Sequence, residues 1–348
     1  MKITQVEIYQ VEIPLIPPIA KYFPKIYDIL LCRILTDEGI EGIGESTSYQ
    51  VTPQARAQLD EKAGSLVGQD PLEINAFAQP GLFECPLLDI AGQAYGIPVN
   101  RFFGEKMRDR VPVSYWSCHM EPHETAAEAE VGAGLGFTNH KLKARSWDVV
   151  ETVKLMKEAA GMDYTVTADP NMEFKHVHIA ARLAGELEPF STVSCLEDPM
   201  LKNNFDWYRL LREKTIIPVA LHIGVPQAGT PSRGSVVLQA LKAECIDYVN
   251  LGGSAMEIKR GAAVAEAADV PCWLQMGGVC LGVLATYSAH VQCTIPNATL
   301  PCDELPFVRI ADVIDGGLVL DKGHFLVPEG PGLGVKLDMK TVEKYRVG

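Results

Sequence analysis

From residue 140 onwards, short apolar runs end in polar residues at a nearly constant interval. The interval is 26 positions from Lys143 to Asp169, 28 to Glu197, 25 to His222, 28 to Asn250 and 26 to Met276. Segments that resemble helices, such as 149–160, lie between these positions. A strand, a helix and two short loops need about 25 to 30 residues, so the pattern predicts consecutive β/α units. The C-terminal ends of the strands of a closed β/α barrel surround one mouth, where we expect these polar side chains to converge.

The first part of the chain has a different pattern. Residues 2–14 and 30–36 are predicted as strands, and 37–42 as the turn into a third strand. The intervening loop, 16–24, is too rich in proline to predict a helix or a central strand. The loop 45–52 then leads into helical segments. These features predict a small α+β domain whose two loops reach a neighbouring site.

The boundaries between the parts follow from the same patterns. A helix around 86–95 is predicted to stop at a glycine and a proline, and 110–117 is predicted as the first barrel strand. Segments 315–320 and 328–335 are predicted to form a hairpin that returns to the small domain. The chain is therefore divided into an α+β capping domain (1–110), a modified barrel (111–312) and a C-terminal segment (313–348).

Composition narrows the class of protein. The net charge of −13 argues against a nucleic acid or an anionic membrane as partner, while still allowing an anionic substrate at a locally positive site. No apolar run is long enough for a transmembrane helix, and the N-terminus alternates like a strand rather than a signal peptide. The 9 cysteines include no C-x-x-C pair, which favours buried free thiols and a cytoplasmic location.

Three short polar motifs occupy the predicted mouth. Two lysines in Lys141-Leu-Lys143 are two positions apart on a strand, so they share one face and each disfavours the charge on the other. The next motifs are Asp169-Pro-Asn171 and Glu197-Asp198-Pro199. Alone, Lys-x-Lys usually marks a solvated edge and Asp-Pro-Asn a turn. In this order and at this spacing they predict an active site.

The chain resembles the enolase superfamily, in the branch of mandelate racemase and muconate cycloisomerase. The resemblance covers nearly the whole sequence and includes 37–45, 88–104, the three motifs above and the closing glycine-rich run 330–334. It implies a (β/α)7β TIM-like barrel of the α/β class with an N-terminal α+β capping domain. It also implies a homo-oligomer, often a dimer or octamer.

The resemblance further implies abstraction of the proton α to a carboxylate, with Mg²⁺ holding the enolate. Lys143 would be the base, Lys141 its assistant, and Asp169 and Glu197 would be metal ligands. Hard oxygen ligands of this kind suit Mg²⁺. The remaining predicted substrate contacts are Asn171, Asn250 and, in the two loops of the small domain, Tyr22 and Tyr49. His119 and His123 follow the first barrel strand, where either could line the mouth.

Three departures from the family pattern bear on the reaction. His222 stands where the third acidic metal ligand is expected, so it could ligate Mn²⁺ or Zn²⁺, act as an acid or contact the substrate directly. Asp198 is a spare ligand. Gly252 stands near the position of the second lysine of muconate cycloisomerases, and 275–278 lack the histidine of the racemases. A base on the opposite face is therefore missing from both usual places.

One-base chemistry remains, and dehydration of a hydroxy acid or sugar acid fits it best. The acid for the leaving group would be Lys141, His222 or a metal-bound water. The alternatives are a cycloisomerase or epimerase, and a non-catalytic small-molecule binder that has lost the standard metal site. The joint presence of the two lysines, Asp169, Asn171 and Glu197 argues against the binder.

Overall fold

The computed structural model describes residues 1–224, 232–316 and 318–347. Near the N-terminus, β1 (Ile3–Val11), β2 (Asp28–Thr36) and β3 (Glu41–Ser48) form an antiparallel sheet in the order β1-β2-β3. These are the strands that the alternation predicted. Gly39, with φ of +78°, lies in the turn between β2 and β3, where a left-handed residue is required.

One prediction for the loop 16–24 was wrong. Residues Pro17–Ala20 form a single helical turn, α1, although the prolines argued against a helix. Proline is compatible with the first helical position because the amide hydrogen that it lacks has no partner there in any helix. The rest of the loop is irregular.

Two longer helices complete the first part, α2 (Pro53–Leu66) and α3 (Glu84–Tyr95). α3 packs against β3 so closely that a Cβ on Gly42 would lie 2.1 Å from the Pro86 carbonyl oxygen. The helix ends at Gly96, whose φ of 68° is left-handed, so the predicted glycine stop is confirmed.

Seven parallel strands form the barrel wall that the described residues show, each neighbouring the next along the chain. They are β5 (Tyr115–Ser117), β6 (Asn139–Lys143), β7 (Thr165–Asp169), β8 (Val193–Glu197), β9 (Val219–Ile223), β10 (Tyr248–Leu251) and β11 (Cys272–Leu274). Helices follow them on the outside: α4 (Pro122–Gly134), α5 (Val149–Ala160), α6 (Val177–Leu187), α7 (Phe205–Arg212), α8 (Arg233–Lys242), α9 (Ala255–Glu266) and α10 (Gly282–Gln292).

Residues 300–303 close the ring between β11 and β5. The Leu300 amide donates to the Cys272 carbonyl at 3.3 Å, and the Asp303 amide donates to the Leu274 carbonyl at 3.1 Å. On the other side, the Ser114 amide donates to the Cys302 carbonyl at 3.0 Å. The closing segment therefore occupies the eighth strand position, and the predicted (β/α)7β barrel with its antiparallel capping sheet is confirmed.

The first barrel strand begins later than predicted. Arg110–Pro112 forms a separate strand, β4, which pairs antiparallel with β14 (His324–Leu326), and β14 pairs with β13 (Leu320–Asp321). The C-terminal hairpin is thus formed by β13 and β14 rather than by 315–320 and 328–335. Both predictions rested on alternating hydrophobicity, which does not distinguish a barrel strand from a strand of a small surface sheet.

The remaining C-terminal elements run back along the first part of the chain. They are β12 (Ile314–Asp315), β15 (Lys336–Leu337) and α11 (Met339–Tyr345). The Leu333 amide donates to Asp89 Oδ1 on α3 at 2.8 Å, and Arg346 forms a bridge to Val11 of β1.

A buried carboxylate joins β3 to the barrel. Glu45 accepts hydrogen bonds from the amides of Leu281 and Leu284 at the start of α10, at 2.6 and 2.9 Å. Burial raises the pKa of Glu45 to about 7, and the two amides only partly offset this effect. All 9 cysteines are free and buried, as predicted. Within the described ranges, no helix is long and apolar enough to cross a membrane.

Candidate active site

A cavity of about 1020 Å³ opens at the C-terminal ends of the barrel strands. Its volume suits a small-molecule ligand. Charged side chains from several β/α units line it: Lys141, Lys143, Arg145, Asp169, Lys202 and Asp303. The sequence prediction that polar residues converge at this end of the barrel agrees with this placement.

Lys141 lies at the bottom of the cavity and is 1% exposed. Its Nζ is 2.5 Å from Asp303 Oδ2, 2.6 Å from Glu197 Oε2 and 3.6 Å from Asp169 Oδ2. Burial alone would lower the pKa of Lys141, but these three carboxylates raise it well above its usual value. Lys141 is therefore a fixed ammonium group.

Lys143 occupies the same face of β6, one step nearer the mouth. Its Nζ lies 2.5 Å from Asp169 Oδ2, while Asp169 Oδ1 accepts a hydrogen bond from the Asn171 amide at 2.9 Å. Burial acts to raise the pKa of Asp169, but Lys143 and Lys141 outweigh it and the net shift is downward. Asp169 Oδ2 thus lies between the two ammonium groups, which offsets the repulsion that the sequence predicted between them.

Asn250 lies beneath the cavity and is completely buried. Its Nδ2 donates to Glu197 Oε1 at 2.8 Å and to Gln275 Oε1 at 2.9 Å, and it lies 3.3 Å from Asp303 Oδ2. Trp273 Nε1 also donates to Asp303 Oδ2, at 3.0 Å. Asn250, which was predicted to bind substrate, therefore fixes the carboxylates that surround Lys141.

Glu197, Asp198 and His222 form a second group of potential ligands, with donor atoms all within 4.8 Å of one another. The His222 amide donates to Asp198 Oδ1 at 2.9 Å, which fixes the two residues relative to each other. His222 Nε2 is buried and has no hydrogen-bond partner among the described residues. Lys202 Nζ lies 2.5 Å from Asp198 Oδ2.

This group fits a divalent cation. Burial, Lys202 and Lys141 lower the pKa of His222 well below its usual value, so the imidazole is in the neutral form that ligates metals. Burial and neighbouring carboxylates raise the pKa of Glu197 to about 8, and burial raises that of Asp198 to about 6. A buried imidazole nitrogen without a partner, beside crowded carboxylates, is a suitable donor set for a metal ion.

The charges of the lysines and carboxylates in this site also favour a divalent cation. When all four carboxyl groups are ionised, as metal ligation requires of Glu197 and Asp198, three ammonium groups face four carboxylates and the formal charge of the cluster is −1. The ammonium groups belong to Lys141, Lys143 and Lys202, and the carboxylates to Asp169, Glu197, Asp198 and Asp303. A divalent cation would change that charge to +1 and make the cavity attractive to an anion.

The aromatic residues of the two small-domain loops are placed differently from each other. Tyr49 lines the cavity, and its ring lies 5.0 Å from that of Tyr27, which also lines it. Tyr22 is hydrogen-bonded through its hydroxyl to Glu124 and is not among the residues that line the cavity. Between β1 and β2, Tyr27 therefore lines the cavity, whereas Tyr22, the predicted substrate contact, does not.

From the sequence, Asp303 stands where an acid of the eighth strand would be expected, but a helix or loop cap was the favoured interpretation; in the structure it accepts hydrogen bonds from Lys141, Trp273 and Asn250. The sequence evidence for Asp303 as a site residue was weak because the closing segment lacks a long apolar run. Its position one β/α interval after Met276 was the available indication. His119 also lines the cavity, whereas His123 is exposed on α4.

Comparison with known proteins identifies the family. Residues 124–341 match the family described as enolase C-terminal domain-like, which covers more than half of the chain. The chain belongs to the mandelate racemase and muconate cycloisomerase branch of the enolase superfamily. Membership places it in a family of enzymes and confirms the resemblance of its motifs.

Relatives in this superfamily have different activities. The D-xylonate dehydratase of Haloferax volcanii is 28% identical over 92% of this chain and 86% of its own length. The D-galactonate dehydratase of Klebsiella pneumoniae is 28% identical over 91% of each chain. The crystal structure of N-succinyl Arg/Lys racemase from Bacillus cereus has a TM-score of 0.85 and 22% identity, covering 100% of this chain and 99% of its own.

Proposed function

We propose that this protein is a metal-dependent dehydratase of small hydroxylated carboxylates, in particular of aldonic acids. In this reaction the α proton is removed from the acid and the β-hydroxyl leaves as water. The observation that carries the proposal is that Lys143 lies at the cavity mouth, whereas the described strand β10 and Gly252 after it offer no lysine. The dehydratase relatives, at 28% identity, support the same class of substrate.

Position 252, near which a lysine of the opposite face would stand, is closely packed. A Cβ on Gly252 would lie 3.1 Å from His222 Nε2 and 3.0 Å from the Gln275 carbonyl oxygen. The imidazole therefore fills the space that a longer side chain at position 252 would need. Racemisation requires a proton from the opposite face of the planar intermediate, whereas elimination requires only one base and a leaving group.

Glu197, Asp198 and His222 would hold the metal, with Asp169 beside them. When bound, a divalent ion supplies positive charge that stabilises the oxygens of the enolate. The mixed nitrogen and oxygen donors fit Mn²⁺ or Zn²⁺ as well as Mg²⁺.

The residues of the chain have separate parts in the reaction. Lys143, in its neutral form, takes the α proton through Nζ, and the electron pair of the C–H bond becomes the enolate. Lys141 remains an ammonium group and stabilises negative charge at the bottom of the cavity. The electron pair of the enolate then forms the Cα–Cβ double bond as the β C–O bond breaks, and the enol product tautomerises to a 2-keto-3-deoxy acid.

The test is incubation in D₂O with Mg²⁺ or Mn²⁺ and a set of five- and six-carbon aldonic acids, followed by NMR and mass spectrometry. We expect loss of water from at least one acid, with deuterium at the α position of the recovered acid and at C3 of the 2-keto-3-deoxy product. Lys143→Arg should abolish both because a guanidinium keeps the positive charge next to Asp169 but cannot act as a base. Lys154→Arg on the exposed face of α5 is the matched control and should leave both rates unchanged.

A second candidate, an epimerase of the same superfamily, is supported by one observation. His222 is neutral and unpartnered within the described part of the chain, and it lies three strands around the barrel from Lys143. Without a metal it could take or return a proton on the other face. Inversion at the α carbon without loss of water, persisting in EDTA, would favour this function over dehydration.

A further inference from the structure

A second pair of polar side chains faces the cavity from the side away from the metal-ligand group. His119 Nε2 lies 2.7 Å from Asp148 Oδ2. The His119 side chain is 29% exposed and lines the cavity, whereas that of Asp148 is 14% exposed. An imidazole that is half-buried in a cavity wall and oriented by a carboxylate is the usual arrangement of a histidine in acid–base catalysis.

The local structure around Asp148 indicates that the pair is more than a packing contact. Asp148 occupies the N-cap position of α5, yet its side chain makes no capping hydrogen bond to a described amide of that helix. An aspartate at this position ordinarily accepts from the second or third helical amide, a bond worth about 1 kcal/mol. The carboxylate is instead bonded to an imidazole from a different β/α unit.

Strand register brings this imidazole near the base. Parallel pairing of β5 with β6 sets Ser117 beside Leu142, so His119, two residues beyond Ser117, follows the end of β5 next to the end of β6 that carries Lys143. The edge of the Trp147 ring system lies against the imidazole, with ring centroids 5.6 Å apart. His119 is thus contacted by Asp148 and Trp147 and follows the strand next to the one that carries Lys143.

The other candidates for a general acid are engaged elsewhere. Lys141 is enclosed by three carboxylates and completely buried, so it cannot follow a departing hydroxyl. His222 Nε2 belongs to the group that would hold the metal. Nδ1 of His119 makes no hydrogen bond to any residue in the described ranges, and His119 itself borders the cavity.

We propose that His119 is the general acid of the elimination, giving its Nδ1 proton to the departing β-hydroxyl, and that Asp148 positions it. This role rests on the proposed dehydratase function. The β C–O bond breaks with its electron pair on oxygen, the imidazolium proton joins that oxygen, and water leaves. Lys143 holds the α proton and His119 has lost one, so solvent exchange restores both residues without any oxidant or reductant.

The experiment separates protonation of the leaving group from removal of the α proton. His119→Gln and Asp148→Asn are compared with the unaltered protein in D₂O, with Mn²⁺, on five- and six-carbon aldonic acids and on their 3-deoxy-3-fluoro analogues. Fluoride leaves without protonation, so its loss needs the base but not the acid. His123→Gln, a change on the exposed surface of α4, is the matched control.

We expect the rate of water elimination by His119→Gln to fall by about 10² to 10⁴-fold, which is the usual contribution of a general acid. Fluoride elimination and α-deuteration should persist, and recovered acid should contain more deuterium because the enolate now returns to substrate. Asp148→Asn should show the same pattern to a smaller degree, and His123→Gln should match the unaltered protein.

Two results would overturn this role while leaving the proposed function intact. One is water elimination by His119→Gln at the original rate. The other is an equal loss of water elimination, fluoride elimination and α-deuteration, which would show that His119 only supports the fold. Failure of the unaltered protein to exchange the α proton or eliminate either group would overturn the dehydratase function itself, and this role with it.

Discussion

Lys141 and Asp303 are 162 positions apart in the chain, yet their Nζ and Oδ2 atoms are 2.5 Å apart inside the barrel. The first lies on β6 and the second on the segment that closes the ring. Both side chains are at most 3% exposed. The ion pair therefore connects an early strand of the barrel wall to its last part, at the bottom of the candidate active site.

Breaking this pair should be costly. Lys141→Met leaves the carboxylates of Asp303 and Glu197 buried without their cation, and we expect a loss of about 3 to 5 kcal/mol in the free energy of unfolding. Urea denaturation followed by circular dichroism measures it. Asp303→Asn alone should also destabilise the protein, while the double variant should be more stable than the sum of the two losses predicts. Additive losses would show that the two groups do not interact.

The metal preference depends on His222. His222→Glu replaces the imidazole by a carboxylate and gives a donor set made only of oxygen, which Mg²⁺ prefers. We expect the ratio of Mg²⁺ to Mn²⁺ affinity to rise at least tenfold, measured by isothermal titration of the metal-free protein with each ion. His178→Glu, on the outside of the barrel in α6, is the control and should leave the ratio unchanged. An unchanged ratio in His222→Glu would exclude His222 as a ligand.

Gly252 provides a more subtle test of the same group. A Cβ at this position would lie 3.1 Å from His222 Nε2, which is closer than ordinary van der Waals contact. Gly252→Ala should displace the imidazole slightly and weaken Mn²⁺ binding by about tenfold, with a stability loss of about 1 to 3 kcal/mol from overpacking. Gly64→Ala in α2, where an added Cβ meets nothing within 4 Å, should affect neither binding nor packing. Unaltered Mn²⁺ binding in Gly252→Ala would contradict this geometry.

The buried carboxyl group of Glu45 should make the stability of the folded protein depend on pH. Its pKa in the folded protein is raised to about 7 by burial, above the ordinary value of 4.5. The folded state therefore binds more protons than the unfolded state between these values, and stability falls as pH rises through this window. Glu45→Gln has no proton to lose, so its urea midpoint should fall less than that of the unaltered protein between pH 4.5 and pH 8.

The exposed Glu61→Gln on α2 serves as the control for this measurement and should follow the unaltered protein at every pH. Parallel pH profiles for Glu45→Gln and the unaltered protein would mean that Glu45 titrates normally. The Leu281 and Leu284 amides would then satisfy the carboxylate more fully than its burial indicates.

Much of the fold could be predicted because the polar residues that end the barrel strands repeat at one β/α interval. The same rule located Lys141, Lys143 and Asp169 at the cavity, and Glu197 against Lys141. The interval placed Asp303 at the eighth strand, but local pattern could not predict its pairing with Lys141, because the two residues are distant in sequence. The sequence pattern also could not separate Arg110–Pro112 from the barrel, because apolar and polar residues alternate in the same way in the strands of both sheets.

Backbone conformation accounts for another difference. Asp198 has a φ of +46°, a left-handed conformation that the sequence does not reveal. Its carboxylate lies within 4.8 Å of the donors of Glu197 and His222, and among the described residues Asp169 does not belong to that group. The predicted ligand set of Asp169, Glu197 and His222 therefore becomes a proposal centred on Glu197, Asp198 and His222.

In the first part of the chain, the tyrosine before β2 that lines the cavity could not be identified from the sequence, because it depends on the path of the chain between two strands. Tyr22 and Tyr27 both lie between β1 and β2, and only the three-dimensional course of that segment determines which one faces the cavity. Tyr22 is in the predicted loop 16–24 and Tyr27 is not, so the sequence pattern selected the tyrosine that does not line the cavity.

Closure of the barrel by residues 300–303 has a consequence for synthesis on the ribosome. Until that segment emerges, β5 and β11 are open edges of a nascent sheet, with amides and carbonyls able to pair with another chain. The ammonium group of Lys141 likewise lacks Asp303 until 162 further residues have been translated. Truncated products that end before this point should therefore aggregate rather than accumulate as partly active enzyme.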